Sequence, residues 1–143
     1  MAHVIRPDAG EARLDALQRH AFRYFLNETN ATNGLVADRT QPGAPASIAA
    51  VGFALAAYPV GVERGWMTRA DAIERTLALL RFSWTSPQGT APDMSGYKGF
   101  YYHFLDMTTG RRADLCELST VDTSFLLAGM LAGLLHQPRP RRR

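Results

Sequence analysis

The chain has 143 residues, the length of a single domain or of part of one. With 46% hydrophobic and 20% charged residues it has the composition of an ordinary globular protein, which excludes the collagen-like, low-complexity and disulfide-scaffold classes. Four arginines fall within the last five residues, and without them the remainder carries one net negative charge. We therefore predict no nucleic-acid partner.

The cysteine and histidine content and the length of the apolar segments indicate which sites and locations to expect for this protein. Cys116 is the single cysteine and cannot form an internal disulfide, and the four histidines are widely scattered, so we predict no cofactor and no metal. The N-terminus lacks the apolar core of a secretory signal, which leaves the location open with the cytoplasm as the default. The apolar stretches 48–62 and 123–135 are shorter than the roughly 20 residues that cross a bilayer, so no membrane span is expected.

The first half of the chain contains two predicted helices joined by a loop. Residues 11–28 are predicted to form an amphipathic helix. Its apolar face consists of Leu14, Leu17, Ala21, Phe22 and Phe25. A loop over residues 29–46 follows, with Asn-Gly and Pro-Gly turn signals. Ser47 is a candidate N-cap for the second helix, which is expected to end near Gly65 and to be kinked or shortened at Pro59.

The second half adds two helices on either side of an irregular region. A capping-box pattern at Thr68 predicts the start of a third helix. Residues 83–99 are rich in Pro, Gly and Ser and are predicted to form a loop. An aromatic run and a Thr-Thr-Gly turn then indicate a short β-hairpin-like insertion near residues 100–117. A second capping-box pattern, at Ser119, precedes the fourth helix.

The four helices differ in how much of their surface is apolar. The first and third are amphipathic, whereas the second and fourth are apolar nearly all round and rich in Ala and Gly. A helix of the second kind has to be covered on every side, so the alternation predicts an inner and an outer layer. Two amphipathic helices give too little cover for two buried ones. We therefore expect part of a larger toroid, or association through the exposed apolar helices.

The predicted domain organisation has three parts. Residues 1–10 are expected to be a flexible N-terminus, residues 11–135 the helical body, and residues 136–143 a disordered tail of Arg and Pro.

The window from Gly99 to Gly129 concentrates the residue types that a sugar site needs. It contains aromatic side chains, carboxylates, paired arginines and His103. Aromatic faces stack on the C–H surfaces of sugars, and charged groups bind their hydroxyls. Two carboxylates at a fixed separation can cleave a glycosidic bond. The same residue types also occur beside helix starts without any activity, so composition alone leaves the function open.

Three sequence blocks, taken in order, resemble a known family. They are SIAAVGF with GVERGW (residues 47–66), GFYYHFLDM with GRR (residues 99–112) and ELSTVDT (residues 117–123). They resemble the glucoamylase-like domain of bacterial β-1,2-glucan-active proteins, a family of β-1,2-glucanases and cyclic β-1,2-glucan synthases, over about residues 12–133. The resemblance implies an all-α fold, the N-terminal portion (about four helices) of an (α/α)₆ toroid with its sugar cleft at one end of the inner ring.

The resemblance also implies an activity and a set of site residues. The activity is hydrolysis or transglycosylation at β-1,2-linked glucose, with a glucan oligosaccharide as partner. Glu117 is implied as a catalytic carboxylate, and Asp106 and Asp122 as sugar-binding or supporting residues. The implied subsite lining consists of Arg111, Arg112, Tyr101, Tyr102 and His103. Because four helices cannot close a twelve-helix toroid, we expect a truncated glycoside hydrolase-like domain that is inactive alone; whether it is an enzyme stays open. A non-catalytic carbohydrate-binding or self-associating helical module is the alternative.

Several of these residues also have a purely structural interpretation. Asp122 has the spacing of a capping-box acid that reaches back to the Ser119 N–H. Asp106 can open the turn at residues 107–110, and Arg111 and Arg112 can be solvated. Alternate residues of a strand face opposite sides, so some of the aromatic side chains at 101–104 must lie in the core.

Overall fold

The structure, a computed structural model, describes residues 9–135. Four helices lie within this range: α1 (Ala9–Asn27), α2 (Ile48–Glu63), α3 (Arg69–Thr85) and α4 (Thr120–Leu135). Five short strands accompany them: β1 (Ala46–Ser47), β2 (Gly96–Tyr97), β3 (Phe100–Tyr102), β4 (Phe104–Leu105) and β5 (Leu118–Ser119). The predicted all-α fold with a small β insertion is confirmed.

The outer segments of the predicted domain organisation are only partly covered by these residues. The tail at 136–143 and the first eight residues lie outside the described range. Ala9 and Gly10, expected to be flexible, already belong to α1.

Helices α2 and α4 form the centre of the fold. They run parallel, because Gly52 of α2 lies against Gly129 of α4 and Leu55, three residues further along α2, lies against Gly133. A Cβ built on Gly129 would stand 2.7 Å from the carbonyl carbon of Gly52 and 2.8 Å from its Cα. The two backbones therefore touch, which only glycine allows at these positions. This close approach accounts for the small residues of the two predicted inner helices.

The buried core lies between α2 and the segments that flank it. Leu55 of α2 and Leu79 of α3 are fully buried, as is Leu105 of β4. The loop before α2 also contributes, because Leu35 and Val36 are completely shielded from solvent. Part of this predicted loop, residues 34–37, therefore belongs to the core, whereas residues 39–43 are exposed.

Helix α1 is amphipathic as predicted, yet most of its apolar face is exposed. Leu14 is 56% and Leu17 is 65% exposed, and Phe22 is the buried residue of this helix. The Phe22 ring packs 5.5 Å from the Trp66 ring, near Gly61 of α2. The apolar side chains in the first half of α1 thus stay exposed, and the predicted apolar face is buried only near the C-terminal end of the helix.

Two predicted boundaries differ from the structure. Helix α2 continues through Pro59 to Glu63, so the proline does not shorten it. Buried residues on either side of the proline, Tyr58 and Gly61, hold this turn against the core and offset the lost N–H. Helix α3 runs to Thr85, which takes the first residues of the predicted loop at 83–99 into the helix.

The two inner helices expose apolar side chains on the faces that point away from their contact. The exposed residues are Phe53, Val60, Val121, Phe125, Leu127 and Leu131. The rings of Phe53 and Phe125 touch across the two helices, with centroids 5.1 Å apart, so the exposed apolar surface extends from one inner helix to the other at this point. Among the described residues, no helix combines the length and the apolarity needed to cross a membrane.

Candidate functional site

The insertion at residues 96–119 is joined by strand pairing to the starts of both inner helices. Strand β4 pairs antiparallel with β1, which leads into α2, and β3 pairs antiparallel with β5, which leads into α4. The pairing joins Phe104 to Ser47 and Tyr102 to Leu118. The N-terminal ends of two parallel helices therefore meet the same short insertion, and both present their positive dipole ends there.

Serine caps fix these two helix starts. The Ser47 hydroxyl accepts a hydrogen bond from the Ala50 N–H at 3.4 Å, which confirms the predicted cap of α2. Ser119 Oγ accepts from the Asp122 N–H at 3.1 Å. This bond forms one half of the predicted capping box, while the Asp122 carboxylate lies against a histidine.

His103 stands between the two helix starts and is held by its backbone. Its N–H donates to the Glu117 carbonyl at 3.0 Å, and its carbonyl accepts from the Ile48 N–H at 3.2 Å. The imidazole stacks on the Phe104 ring with centroids 3.9 Å apart and planes tilted by 19°. Both the position and the plane of the ring are therefore set by neighbouring groups.

Two carboxylates face the two nitrogens of this imidazole. Nδ1 lies 2.9 Å from Glu117 Oε1, and Nε2 lies 3.7 Å from Asp122 Oδ2. The side chain of Glu117 is 66% exposed, whereas that of Asp122 is only 14% exposed. The ligand-capable atoms of the three residues all lie within 4.8 Å of one another, a group that could hold a metal ion. We call this group the His103 cluster.

The surroundings of Glu117 favour its ionised form. A hydrogen bond from its own backbone N–H, followed by one from the His103 ring, lowers the pKa of its carboxyl below the ordinary value. At neutral pH the group is a carboxylate. This charge state suits a base, a nucleophile or a stabiliser of positive charge, and it does not suit a general acid.

Asp106 occupies a turn. One oxygen of its carboxylate accepts from the backbone N–H groups of Thr108 (3.0 Å) and Thr109 (2.7 Å), and from the Thr109 hydroxyl (2.8 Å). These bonds, with the Thr109 N–H contributing most, lower the pKa of Asp106. The structure thus supports the turn-opening interpretation of this residue.

The two tyrosines of β3 have different environments. Tyr101 is buried, and its hydroxyl donates to the Ser83 carbonyl at 2.9 Å, so this residue ties the insertion to the end of α3. The prediction that Tyr101 lines a subsite is not supported by this position, because its ring packs in the core. Tyr102 is half-buried and lies on the opposite side of the strand, with the Arg112 guanidinium 4.2 Å from its ring centroid.

The paired arginines are both engaged within the chain. Arg112 Nε donates to the Cys116 carbonyl at 2.7 Å, and one terminal nitrogen donates to the Leu115 carbonyl at 2.9 Å. This fork fixes the loop that leads to Glu117. Arg111 lies near Asp93 at 3.4 Å and remains partly exposed. Of the pair, Arg111 keeps more freedom to meet a ligand.

Cys116 contacts the backbone of Phe104 through its thiol. The Phe104 N–H points at its sulfur at 3.2 Å, and the thiol points back at the Phe104 carbonyl at 3.3 Å. The thiol is half-buried and braces the backbone beside His103 and Glu117.

The His103 cluster lies on an open surface outside the two cavities. An apolar groove of about 270 Å³ lies between α3 and the C-terminal halves of α2 and α4, where it includes Tyr58 and Met130. A polar depression of about 420 Å³ lies beside the loop at residues 37–44 and Met107. Neither of these two cavities includes the cluster, and the Glu117 side chain is largely exposed.

No protein-family model matches the chain. An exo-β-1,2-glucooligosaccharide sophorohydrolase (non-reducing end) from Parabacteroides distasonis is 31% identical over 132 residues. The match covers 87% of this chain and 17% of that relative, so the chain spans less than a fifth of the relative's length.

Solved structures agree with this match. The crystal structure of a β-1,2-glucanase from Parabacteroides distasonis superposes with a TM-score of 0.71 and 28% identity, over 87% of this chain and 18% of that one. A glucoamylase-like protein from Bacteroides uniformis superposes with a TM-score of 0.70 and 27% identity, over 88% of this chain and 30% of that one. The resemblance noted in the sequence is confirmed: the chain is a relative of the glucoamylase-like β-1,2-glucan hydrolases and corresponds to part of their α/α toroid domain.

Proposed function

We propose that this chain provides one wall of a β-1,2-glucan-binding cleft, with the His103 cluster at its centre. The observation that carries the proposal is the convergence of His103, Glu117 and Asp122 at the N-terminal ends of two parallel inner helices. Two relatives of this chain are named as enzymes of β-1,2-linked glucose. The family resemblance of the sequence implies a sugar cleft at one end of the inner ring of helices, and the cluster lies at one such end.

Each member of the cluster has a distinct role in this proposal. Glu117 presents an exposed carboxylate to the sugar, as a base, a nucleophile or a stabiliser of developing positive charge. His103 holds that carboxylate through Nδ1 and orients it. Asp122 supports the other nitrogen of the imidazole, Nε2. Tyr102 and Arg111 are the further candidates for sugar contact, since both remain partly exposed.

Cleavage of a glycosidic bond also needs a carboxylic acid that protonates the leaving group. Asp106 does not supply it, because the turn hydrogen bonds keep its pKa low. The lowered pKa of Glu117 disqualifies that residue for the same task. We therefore propose that the 143-residue chain binds β-1,2-gluco-oligosaccharides without turning them over.

Calorimetric titration of the purified chain with β-1,2-linked gluco-oligosaccharides tests the proposal. Glu117→Gln and Asp122→Asn are each expected to weaken binding at least about tenfold, the equivalent of one or two charge-assisted hydrogen bonds. Glu74→Gln, which makes the same change on the exposed surface of α3, is the matched control and is expected to bind like the wild type. Equal binding by all variants would overturn the site, and release of sugar by the isolated chain would overturn the claim of binding without turnover.

A second function is favoured by the apolar patch across α2 and α4. Phe53 is 50% and Leu131 is 60% exposed, and single exposed residues of this size are ordinary whereas a continuous patch marks an association surface. We propose that two copies of the chain associate through this patch. Sedimentation at about 100 µM is expected to show a dimer.

Charge substitution identifies the face that is used. Leu127→Asp combined with Leu131→Asp is expected to give a monomer. Leu14→Asp, at an equally exposed leucine of α1, serves as the control and is expected to leave the dimer intact. A monodisperse wild-type monomer at that concentration would refute self-association.

A further inference from the structure

We infer that the His103 cluster is a binding site for one divalent transition-metal ion, with Zn²⁺ as the best fit. The cluster combines one imidazole nitrogen with two carboxylate oxygens from three separate segments of the chain. His103 follows β3, Glu117 precedes β5, and Asp122 lies in the first turn of α4. The inference concerns the ion alone and does not depend on the proposed binding of glucan.

The spacing of the donor atoms is close to that of a coordination sphere. Zn²⁺ bonds to nitrogen and oxygen are about 2.0–2.2 Å long, so two ligand atoms of one ion are at most about 4.2 Å apart. The cluster's ligand atoms lie within 4.8 Å of one another. Because Glu117 faces Nδ1 and Asp122 faces Nε2, one ion bound at Nε2 requires the Glu117 carboxylate to leave Nδ1 and move to the Nε2 side of the ring. The Glu117 side chain is exposed and can make this movement by rotating about its own bonds.

The other two ligands are already held in place. His103 is fixed by two backbone hydrogen bonds and by the stacked Phe104 ring. Asp122 is almost fully covered, and its backbone is capped by Ser119. A site in which two of three ligands are preorganised loses little conformational entropy when the ion binds.

The chemistry of the donors selects the class of ion. An imidazole nitrogen with carboxylate oxygens suits Zn²⁺ and its first-row neighbours, whereas Ca²⁺ and Mg²⁺ prefer all-oxygen shells. Two carboxylates balance the ion's double positive charge. Three protein ligands leave one tetrahedral position open, as in catalytic and not in structural zinc sites.

Occupation by the ion has a consequence for the sugar site. The ion would use the Glu117 oxygen that the proposed function assigns to glucan, so Zn²⁺ and oligosaccharide are expected to compete. This consequence, unlike the site itself, rests on the proposed function.

Titration of the purified full chain with ZnCl₂ by calorimetry, and with CoCl₂ by visible absorption, tests the site. We expect one ion per chain with a dissociation constant below about 100 µM. Glu117→Gln and Asp122→Asn are each expected to weaken binding at least about tenfold, and His103→Gln to abolish the cobalt spectrum. The controls are Glu74→Gln and His20→Gln, which alter a carboxylate and a histidine of α3 and α1; both are expected to bind within about twofold of the wild type.

Three outcomes would overturn the inference. They are the absence of stoichiometric binding at 100 µM Zn²⁺, binding that all three cluster variants retain, and loss of binding in the His20 control. Circular dichroism of each variant establishes that it is folded. Sugar titrations in the presence of a chelator report on the proposed function separately, so the failure of one claim is distinguishable from the failure of the other.

Discussion

Replacement of Gly129 by alanine tests whether α2 and α4 meet through their backbones. The added Cβ would stand 2.7 Å from the carbonyl carbon of Gly52, whereas ordinary contacts of this kind are 3.4–4 Å. The helices would have to separate by at least about 0.7 Å, because backbone atoms cannot rotate out of the way. Overpacking of this kind lowers the free energy of unfolding by about 3 kcal/mol, and the better helix propensity of alanine raises it by about 1 kcal/mol.

We therefore expect Gly129→Ala to lower the free energy of unfolding by about 2 kcal/mol and the melting temperature by about 4–8 °C. Gly133→Ala, four residues further along the same helix, is the matched control. There the nearest atom to a new Cβ is the Leu55 carbonyl oxygen at 3.8 Å, which is an ordinary contact. This variant is expected to gain about 1 kcal/mol from helix propensity alone.

Urea and thermal unfolding followed by far-ultraviolet circular dichroism measure both changes. A loss of stability in Gly129→Ala together with a gain in Gly133→Ala would support the backbone contact. A Gly129→Ala protein that melts at or above the wild-type temperature would refute it. An unchanged melting temperature would mean that the two helices do not touch at this point.

Three further predictions concern the insertion. Tyr101→Phe removes the hydroxyl that donates to the Ser83 carbonyl, so urea unfolding is expected to show a loss of about 1–2 kcal/mol; an unchanged midpoint would contradict this role. The lowered pKa of Asp106 means that its carboxylate stabilises the fold fully above the unfolded-state pKa of about 3.9, and that this contribution is lost as the pH falls through the folded-state value. The free energy of unfolding, measured between about pH 6 and pH 2.5, should therefore decrease less steeply with falling pH for Asp106→Asn than for the wild type. Parallel curves for the two proteins would exclude the turn hydrogen bonds as the cause. Finally, His103→Ala should raise the pKa of Glu117 in a carboxyl-carbon NMR titration, and an unmoved midpoint would show that the ring bond has no influence on that carboxyl.

The helices and their starts were predictable because their signals are local. Ser47 and Thr68 act on N–H groups two or three residues ahead, so the sequence alone carries the cap. The predicted cap at Ser119 also formed, but the partner of Asp122 did not follow from the pattern. Its carboxylate faces His103, a residue that precedes it by nineteen positions.

The candidate site was predictable only as a set of residue types. The resemblance selected both Tyr101 and Tyr102, yet one ring is in the core and the other is partly exposed, since neighbouring residues of a strand face opposite sides. Similarly, the scattered histidines predicted no metal site, because the sequence does not show which carboxylates lie beside His103. The neighbouring carboxylates are Glu117, just before β5, and Asp122, in the first turn of α4.

The amino-acid order by itself determined where the helices begin, that the second and fourth are the inner pair, and to which family the chain is related. These properties depend on contacts within a few residues or on apolar content, both of which can be counted along the chain. The pairing of β3 with β5 and the backbone contact at Gly52 and Gly129 were decided by the tertiary structure alone. They bring together groups that are far apart in sequence, and no local preference specifies the distance between such groups. The juxtaposition of His103, Glu117 and Asp122, on which both the sugar and the metal proposals depend, is of this second kind.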